Sequence, residues 1–192
     1  MTEELSKPVL RAQAAERVAA LAEHYRLLAD SQIVARLFDL PETRGAEQIL
    51  TYLALQDEPS LRLLLERAVR RGVRVYAPRM EATTVQMSFV RWVPADGHTA
   101  GPGGVWRSIN SEGPLAVPTV AFVPGRAFDL DGVRLGRGQG CYDRVLASLR
   151  PFATLIGVAY ECQLLDRVPK EPHDESVDVV VTEKRTARTR PL

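Results

Sequence analysis

Short apolar runs alternate with helical stripes along most of this 192-residue chain, and this alternation restricts the possible fold more than any other feature. Residues 49–55 and 73–77 are dense in apolar side chains, as strands buried on both faces are. Between them, residues 61–69 carry apolar side chains at helical spacing, with Ser60 placed to cap the helix and Gly72 to end it. A strand, a helix and a strand in this order imply two parallel strands with a right-handed crossover.

The remaining segments continue the same alternation. The chain opens with two expected helices, at residues 7–29 and 31–40, and Pro41 is expected to end the second. A further helix is expected at residues 142–149. Strands are expected in four more runs, at residues 87–93, 119–123, 155–160 and 177–181. The sequence therefore predicts an α/β protein with a mainly parallel sheet that helices cover on both faces.

Composition bounds the class of protein. The chain is 45% hydrophobic and 26% charged, which is typical of a single globular domain over residues 1–192. Within it, residues 94–118 are expected to form a long excursion, and residues 183–192 a flexible basic tail. No apolar run is long enough for a membrane span or a signal peptide, so we expect no membrane partner.

Cysteine and histidine usage indicates a reducing compartment. Cys141 and Cys162 form no CxxC or CxxH cluster, and His24, His98 and His173 are isolated in sequence. This pattern argues against a zinc site and a disulfide framework, so the cytoplasm is the expected location.

The charges are nearly balanced, with 25 basic and 24 acidic residues and a net charge of +1. Such a balance argues against a nucleic-acid partner, since that function requires neutralising many phosphates. Residues 61–80 nevertheless contain six arginines and one acid. Two interpretations stay open for this stretch, a solvated helix face or a contact with an anionic small molecule.

A glycine-rich loop at residues 134–140, with the sequence RLGRGQG, lies between a strand and a helix. Glycines at alternate positions let the backbone approach a ligand and turn its N–H groups inward, and the helix adds the positive end of its dipole. Arg134 and Arg137 would add charge-assisted hydrogen bonds. The loop is thus suited to phosphate, although such glycine patterns also occur in ordinary flexible turns. It matches neither the Walker A motif nor the Rossmann fingerprint.

Asp143 lies just beyond this loop, in the first turn of the expected helix. A carboxylate beside bound phosphate is unfavourable unless a cation lies between them. This position therefore indicates Mg²⁺ carried with a nucleotide.

Residues 122–146, with the sequence FVPGRAFDLDGVRLGRGQGCYDRVL, closely resemble the signature of the 5-formyltetrahydrofolate cyclo-ligase family, also called 5,10-methenyltetrahydrofolate synthetases. Three further segments agree with the family in the same order: residues 7–11, 52–58 and 172–183. The resemblance covers nearly the whole chain, except residues 94–118 and the last eight.

The resemblance implies a three-layer α/β/α fold and an ATP- and Mg²⁺-dependent ring closure. In that family, 5-formyltetrahydrofolate and ATP give 5,10-methenyltetrahydrofolate, ADP and phosphate. The γ-phosphoryl group is transferred to the formyl oxygen, and N10 of the folate then attacks the activated carbon and expels phosphate. Such a reaction depends on positioning and charge neutralisation, so it requires no protein nucleophile. The expected partners are the folate substrate and ATP, and the protein is expected to be a monomer, with a dimer as the alternative.

Residue roles follow from the resemblance position by position. Arg134 and Arg137 are expected to be catalytic, because they would stabilise charge on the phosphoryl group in transit. Lys7 and Arg11 lie one helical turn apart and match nucleotide contacts, although such residues also occur on a solvated amphipathic helix. The residues that match the family's ATP site are Lys7, Arg11, Arg134, Leu135, Gly136, Arg137, Gly138, Gln139, Gly140, Cys141 and Tyr142.

The resemblance also implies which residues contact the folate and the metal. Leu53 and Glu58 match folate contacts, and the Glu58 carboxylate is suited to accept hydrogen bonds from the pterin. Trp106 is expected either to stack on the folate or to fill a packing role. The residues that match the substrate site are Leu53, Glu58, Trp106 and Cys141, and those that match the magnesium site are Asp143 and Asp178.

Two positions depart from the family's pattern. Cys141 stands where the family usually has tyrosine, and Gln139 stands where glycine or lysine is common. Three hypotheses therefore remain at this stage: the cyclo-ligase itself, an ATP-dependent relative that acts on another formyl- or acyl-amine, and a non-catalytic folate-binding protein.

Overall fold

The computed structural model describes residues 6–80, 87–93, 105–108, 119–138, 141–172 and 174–189. The helices found in these ranges are α1 (Lys7–Ala19), α2 (Glu23–Asp39), α3 (Pro41–Gly45), α4 (Arg62–Arg70) and α5 (Cys141–Leu149), with a 3₁₀ turn at Glu161–Gln163. The strands are β1 (Gln48–Leu50), β2 (Arg74–Met80), β3 (Met87–Val93), β4 (Val105–Ser108), β5 (Thr119–Pro124), β6 (Ala127–Phe128), β7 (Arg134–Leu135), β8 (Ala153–Val158), β9 (Val179–Val181) and β10 (Thr186–Arg188). Of the helices in the described ranges, none has the length and apolar character to cross a membrane.

One large sheet organises the described residues. Its eight strands lie in the order β10-β9-β8-β5-β1-β2-β3-β4. The five central strands, from β9 to β2, are parallel to one another. Strand β10 at one edge and strands β3 and β4 at the other are antiparallel. The predicted mainly parallel sheet is thus confirmed.

Helices cover both faces of this sheet. On one face, α2 and α4 bury residues such as Ile33 and Leu64 against the strand residue Ile49. On the other face, Leu146 of α5 packs with residues that include Leu50. Because Ile49 and Leu50 are adjacent on β1, they point to opposite faces of the sheet. The structure therefore has the predicted three-layer α/β/α arrangement.

The first helix joins the first of these cores through Val18, near its end, while its N-terminal half packs elsewhere. Leu10 and Ala14 of α1 pack against Ala127 and Leu135, which belong to the small antiparallel sheet of β6 and β7. This packing holds α1 against the segment that leads into the glycine-rich loop.

The break between the first two helices falls earlier than expected. The structure ends α1 at Ala19 and runs α2 from Glu23 to Asp39, so the expected boundary near residue 30 is wrong. Ser31 is inside α2, where its hydroxyl donates to the carbonyl of Leu27 at 3.0 Å. Pro41 does follow the end of α2, but it also begins α3, because its fixed φ suits the first position of a helix.

The first strand is shorter than predicted. Strand β1 comprises only Gln48–Leu50; the N–H of Thr51 still donates to the carbonyl of Tyr76 in β2 at 2.8 Å, and residues 51–60 are otherwise irregular. The backbone N–H of Leu55 donates to the Glu58 carboxylate at 3.1 Å, within a local turn. Ser60 is not the cap of α4 either, because Leu61 holds that position and no side chain caps the helix.

Two segments that we expected to be irregular contain strands. Within the expected excursion at residues 94–118, β4 pairs antiparallel with β3 and extends the sheet. In the expected flexible tail, β10 pairs antiparallel with β9. Arg188 of β10 also forms an ion pair with Glu42 at 2.6 Å, so residues 186–188 are anchored at both backbone and side-chain level.

Replacing Gly132 by alanine is expected to destabilise the fold by about 2–4 kcal/mol. Gly132 has φ = 78°, and a Cβ there would overlap the carbonyl oxygen of Val177. Gly72 offers a matched control, because it has φ = 83° but open space around a Cβ. Gly72→Ala should therefore cost only the backbone term of about 1–2 kcal/mol. Chemical denaturation measures both, and equal losses would contradict the steric argument.

Candidate active site

The candidate site lies at the switch point of the sheet, between β1 and β5, where successive connections of the chain run in opposite directions. Strands β1 and β5 are neighbours, but the chain leaves β1 towards β2 on one side and β5 towards β8 on the other. A crevice forms at the carboxyl ends of two such strands, and open α/β sheets bind ligands there. The segments that follow β1 and β5 therefore form the two walls of the site.

A network of four charged side chains joins these two walls. From the β1 side come Asp57 and Glu58, and from the β5 side come Arg126 and Arg137. Nη2 of Arg137 lies 2.5 Å from Asp57 Oδ1 and 2.9 Å from Glu58 Oε1. The Arg126 guanidinium pairs with the other carboxylate oxygen of Asp57. We call these four residues the charge network.

The members of the charge network differ in exposure. The Glu58 side chain is only 8% exposed, whereas that of Arg137 is 37% exposed. Burial lowers the pKa of Arg126, and the nearby charge of Arg137 lowers it further. The network therefore places a buried carboxylate under a more accessible guanidinium.

The glycine-rich loop is held by α1 from the other side. Nε of Arg11 donates to the carbonyl of Gly136 at 2.8 Å. Gly138 has φ = 98°, which favours glycine, and its Cα faces the Arg11 guanidinium. Leu135 is buried and pairs with Ala127 in the small sheet. The first half of the loop is therefore fixed by a strand on one side and a helix on the other.

Arg134 lies beneath this loop. Its side chain is 4% exposed, and Nη2 lies 2.6 Å from Asp143 Oδ1 in the first turn of α5. Its guanidinium also stacks over the Tyr142 ring at 5.6 Å, while Nη1 donates to the Pro124 carbonyl at 3.4 Å. A Cβ on Gly136 would come within 2.8 Å of Nη1, so the loop backbone rests directly on the guanidinium. This geometry favours a positioning role for Arg134 over the predicted contact with phosphate.

Tyr142 follows the glycine-rich loop and lies near the turn that carries Asp57 and Glu58, which we call the acidic turn. Burial raises the pKa of the Tyr142 hydroxyl well above its usual value, and the Glu58 carboxylate raises it further, against the opposing effects of Arg134 and Arg137. The side chain therefore stays neutral and contributes a fixed wall to the crevice.

Lys7 at the start of α1 is paired with acids from the C-terminal part of the chain. Its Nζ lies 2.7 Å from Asp174 Oδ2 and 2.8 Å from Glu171 Oε1. Burial lowers the pKa of Lys7, but hydrogen bonds from Lys7 to these two carboxylates outweigh it, so the net shift is upward. Because Arg11 lies one turn further along α1 and reaches the glycine-rich loop, Asp174 lies on the same side of the molecule as that loop.

The magnesium prediction requires Asp178 to lie beside Asp143 at the glycine-rich loop. The structure instead places Asp178 near the other end of α5. The two carboxylate oxygens of Asp178 accept hydrogen bonds from Arg150 at 2.5 Å and from the N–H of Leu155 at 2.8 Å. Arg150 follows the end of α5, whereas Asp143 lies in its first turn, and seven residues of helix separate them by about 10 Å. Among the residues described, no three acid, histidine or cysteine side chains form a metal-holding group.

The other predicted site residues lie in different parts of the structure. Leu53 follows β1 and packs against the core while staying partly exposed. Trp106 lies on the edge strand β4, opposite Trp92 of β3, so its backbone is separated from β1 by two strands. Cys141 is the first residue of α5. Gln139 and Gly140 lie outside the described residues.

Sequence reasoning missed Asp57, Arg126 and Asp174. Asp57 directly precedes Glu58, and Arg126 belongs to the VPGR segment of the signature, so both had a local signal. Asp174 lies four residues before Asp178 in the same acidic stretch, and only its pairing with Lys7 distinguishes it.

The fold and the site together define a class: an α/β protein with a glycine-rich loop at the switch point of a parallel sheet, the place where such folds bind their ligands. Residues 3–183 match the model of the 5-formyltetrahydrofolate cyclo-ligase family, and the chain therefore belongs to this family of ligases. The resemblance predicted from its motifs is confirmed.

Individual relatives agree with this assignment. The mouse 5-formyltetrahydrofolate cyclo-ligase is 27% identical, over 95% of this chain and 96% of its own length. The enzyme of the same name from Mycolicibacterium smegmatis is 33% identical, over 71% of this chain and 74% of its own.

Solved structures show the same fold. The NMR structure of 5,10-methenyltetrahydrofolate synthetase from Aquifex aeolicus superposes with a TM-score of 0.78 at 30% identity, covering 98% of this chain and 95% of that one. A 5,10-methenyltetrahydrofolate synthetase from Mycoplasma pneumoniae, at 22% identity, covers 93% and 99% with a TM-score of 0.73 and supports the fold.

Proposed function

We propose that this protein closes 5-formyltetrahydrofolate to 5,10-methenyltetrahydrofolate, with ATP converted to ADP and phosphate. The observation that carries the proposal is the charge network, because it joins the glycine-rich loop to the acidic turn across the switch point. A nucleotide on the loop and a folate on the turn would meet at this junction. Family membership supplies the identity of the two substrates.

On the nucleotide side, residues 136–138 would approach the phosphates with their backbone, beside the positive end of the α5 dipole. Arg11 supports this backbone from α1, and Arg137 is the exposed guanidinium of the loop. Arg137 is therefore suited to stabilise the phosphoryl group in transit. Arg134 would act from beneath, by fixing Asp143.

On the folate side, Glu58 offers a buried carboxylate to the pterin N–H groups. Leu53 lies on the same segment after β1 and supplies apolar surface. Tyr142 would close the crevice between the two substrates.

The reaction needs little covalent chemistry from the protein. The formyl oxygen attacks the γ-phosphorus and ADP departs; N10 then attacks the formyl carbon, loses its proton, and the C–O bond to phosphate breaks. Each of these steps is favoured by holding the two substrates in contact and by balancing the phosphate charge.

Magnesium fits beside Asp143. Its carboxylate is 18% exposed, and Oδ1 is held by Arg134 in the first turn of α5. Mg²⁺ bound to nucleotides usually takes one or two protein carboxylates, and it neutralises phosphate charge during the transfer. We propose Asp174, in place of Asp178, as the second carboxylate, because its partner Lys7 lies on α1 one turn before Arg11, which contacts the glycine-rich loop.

We further infer a cytoplasmic protein that acts as a monomer or a dimer without nucleic acid or membrane. The supporting observations are the cysteine usage and a net charge of only +1.

The purified protein should convert 5-formyltetrahydrofolate to the methenyl form, followed by its absorbance, with one ADP released per ring closed. Omitting ATP or Mg²⁺ should abolish the signal. Tight folate binding with no ADP release would instead support the folate-binding alternative. ATP-dependent turnover of another formyl- or acyl-amine, with 5-formyltetrahydrofolate inert, would support the alternative of a related enzyme.

A further inference from the structure

Two carboxylates hold the Arg137 guanidinium in the structure. One of its nitrogens, Nη2, contacts both Asp57 and Glu58, at 2.5 Å and 2.9 Å. The guanidinium therefore cannot move to a phosphate on the adjacent loop without weakening both contacts. Glu58 in turn has Oε1 on Arg137 and Oε2 on the Leu55 N–H, so each oxygen of its carboxylate already accepts a hydrogen bond.

The charges of these four residues explain why the network is stable and why Arg137 can nevertheless leave it. Two guanidinium groups and two carboxylates give the network no net charge. When Arg137 leaves, Asp57 retains Arg126, whereas the buried Glu58 loses its only charged partner among the described residues. Glu58 then needs new hydrogen-bond donors, since an unpaired buried carboxylate is costly.

We propose that Asp57 is a positioning residue that couples the two substrates by holding Arg137 over Glu58 until a nucleotide draws it away. This proposal rests on the proposed function, because it takes Arg137 to bind phosphate and Glu58 to bind the pterin. Bound nucleotide removes Arg137 from Glu58, so the folate no longer has to displace it. By thermodynamic reciprocity, bound folate strengthens nucleotide binding by the same factor.

The wild type should therefore bind 5-formyltetrahydrofolate about tenfold more tightly when saturated with a non-hydrolysable MgATP analogue. Calorimetric titration gives the folate affinity with and without the analogue, and the analogue affinity with and without folate. The two ratios should agree.

Asp57→Asn weakens the hold on Arg137. Each ligand alone should then bind several-fold more tightly than in the wild type, and the coupling should fall below about threefold. A purely structural role would instead weaken binding. Asp57→Glu keeps the charge and should keep the coupling. Asp39→Asn is the matched control, because it removes an aspartate–arginine pair of 2.8 Å with Arg44 elsewhere on the surface.

Independent binding of the two ligands by the wild type would overturn the coupling and leave the proposed function standing. Unchanged coupling in Asp57→Asn would overturn the role of Asp57. A wild type that binds no folate, with or without the analogue, would overturn the proposed function itself.

Discussion

Asp143→Asn is expected to lower turnover by about 100- to 1,000-fold, because it removes the carboxylate charge that we propose holds Mg²⁺ at the start of α5. In the wild type, Nη2 of Arg134 donates to Asp143 Oδ1 at 2.6 Å. The amide oxygen of asparagine can still accept this hydrogen bond, so the fold should persist. The lost charge weakens the hold on Mg²⁺, and the Mg²⁺ concentration needed for half-maximal activity should rise. Initial rates over a Mg²⁺ titration measure both effects.

Asp178→Asn is the matched control for this substitution. It removes a charge of the same type from a carboxylate that Arg150 and the Leu155 N–H already occupy. We expect a stability loss of about 1–3 kcal/mol and an unchanged Mg²⁺ requirement. If Asp178→Asn instead raises the Mg²⁺ requirement and Asp143→Asn does not, the assignment of the metal side of the site is wrong.

The parts of the fold that were predictable depend on local pattern. The run around Ile49 and the stripe of α4 revealed a parallel pair, because buried strands and amphipathic helices have distinct periods. The break after Ala19 was missed because no glycine or proline marks it and the apolar spacing continues through it. Strand β10 was missed because its exposed, basic sequence has no apolar signature, and its order comes from pairing with β9.

In the site, too, features with a local sequence pattern were predictable and features that depend on tertiary packing were not. The glycine-rich loop and Asp143 were predictable because the residues that form this part of the site are close together in sequence. The pairing of Asp57 with Arg126 spans 69 residues of sequence and exists only because β1 and β5 are neighbours in the sheet. The choice between Asp174 and Asp178 likewise depends on where α1 and α5 lie, which no local pattern contains.

Arg134→Lys is expected to lower turnover by about 10- to 100-fold, through the loss of a positioning contact and not of a contact with phosphate. The guanidinium makes three contacts at once, with Asp143, the Pro124 carbonyl and the Tyr142 ring. A lysine ammonium is a single point charge on a flexible stem and cannot reproduce this fork. Asp143 would lose its fixed orientation, so the Mg²⁺ requirement should rise as it does for Asp143→Asn, while the protein stays folded.

Arg150→Lys is the control for this variant, because Arg150 forms a comparable pair with Asp178, at 2.5 Å, just beyond the end of the same helix. It should lower stability without changing the Mg²⁺ requirement. A double variant separates the two possible roles of Arg134. If Arg134 acts only through Asp143, adding Arg134→Lys to Asp143→Asn should cost little further activity, since the contact is already impaired. Full additivity of the two losses would mean that Arg134 contacts the phosphoryl group directly, as the sequence resemblance first implied.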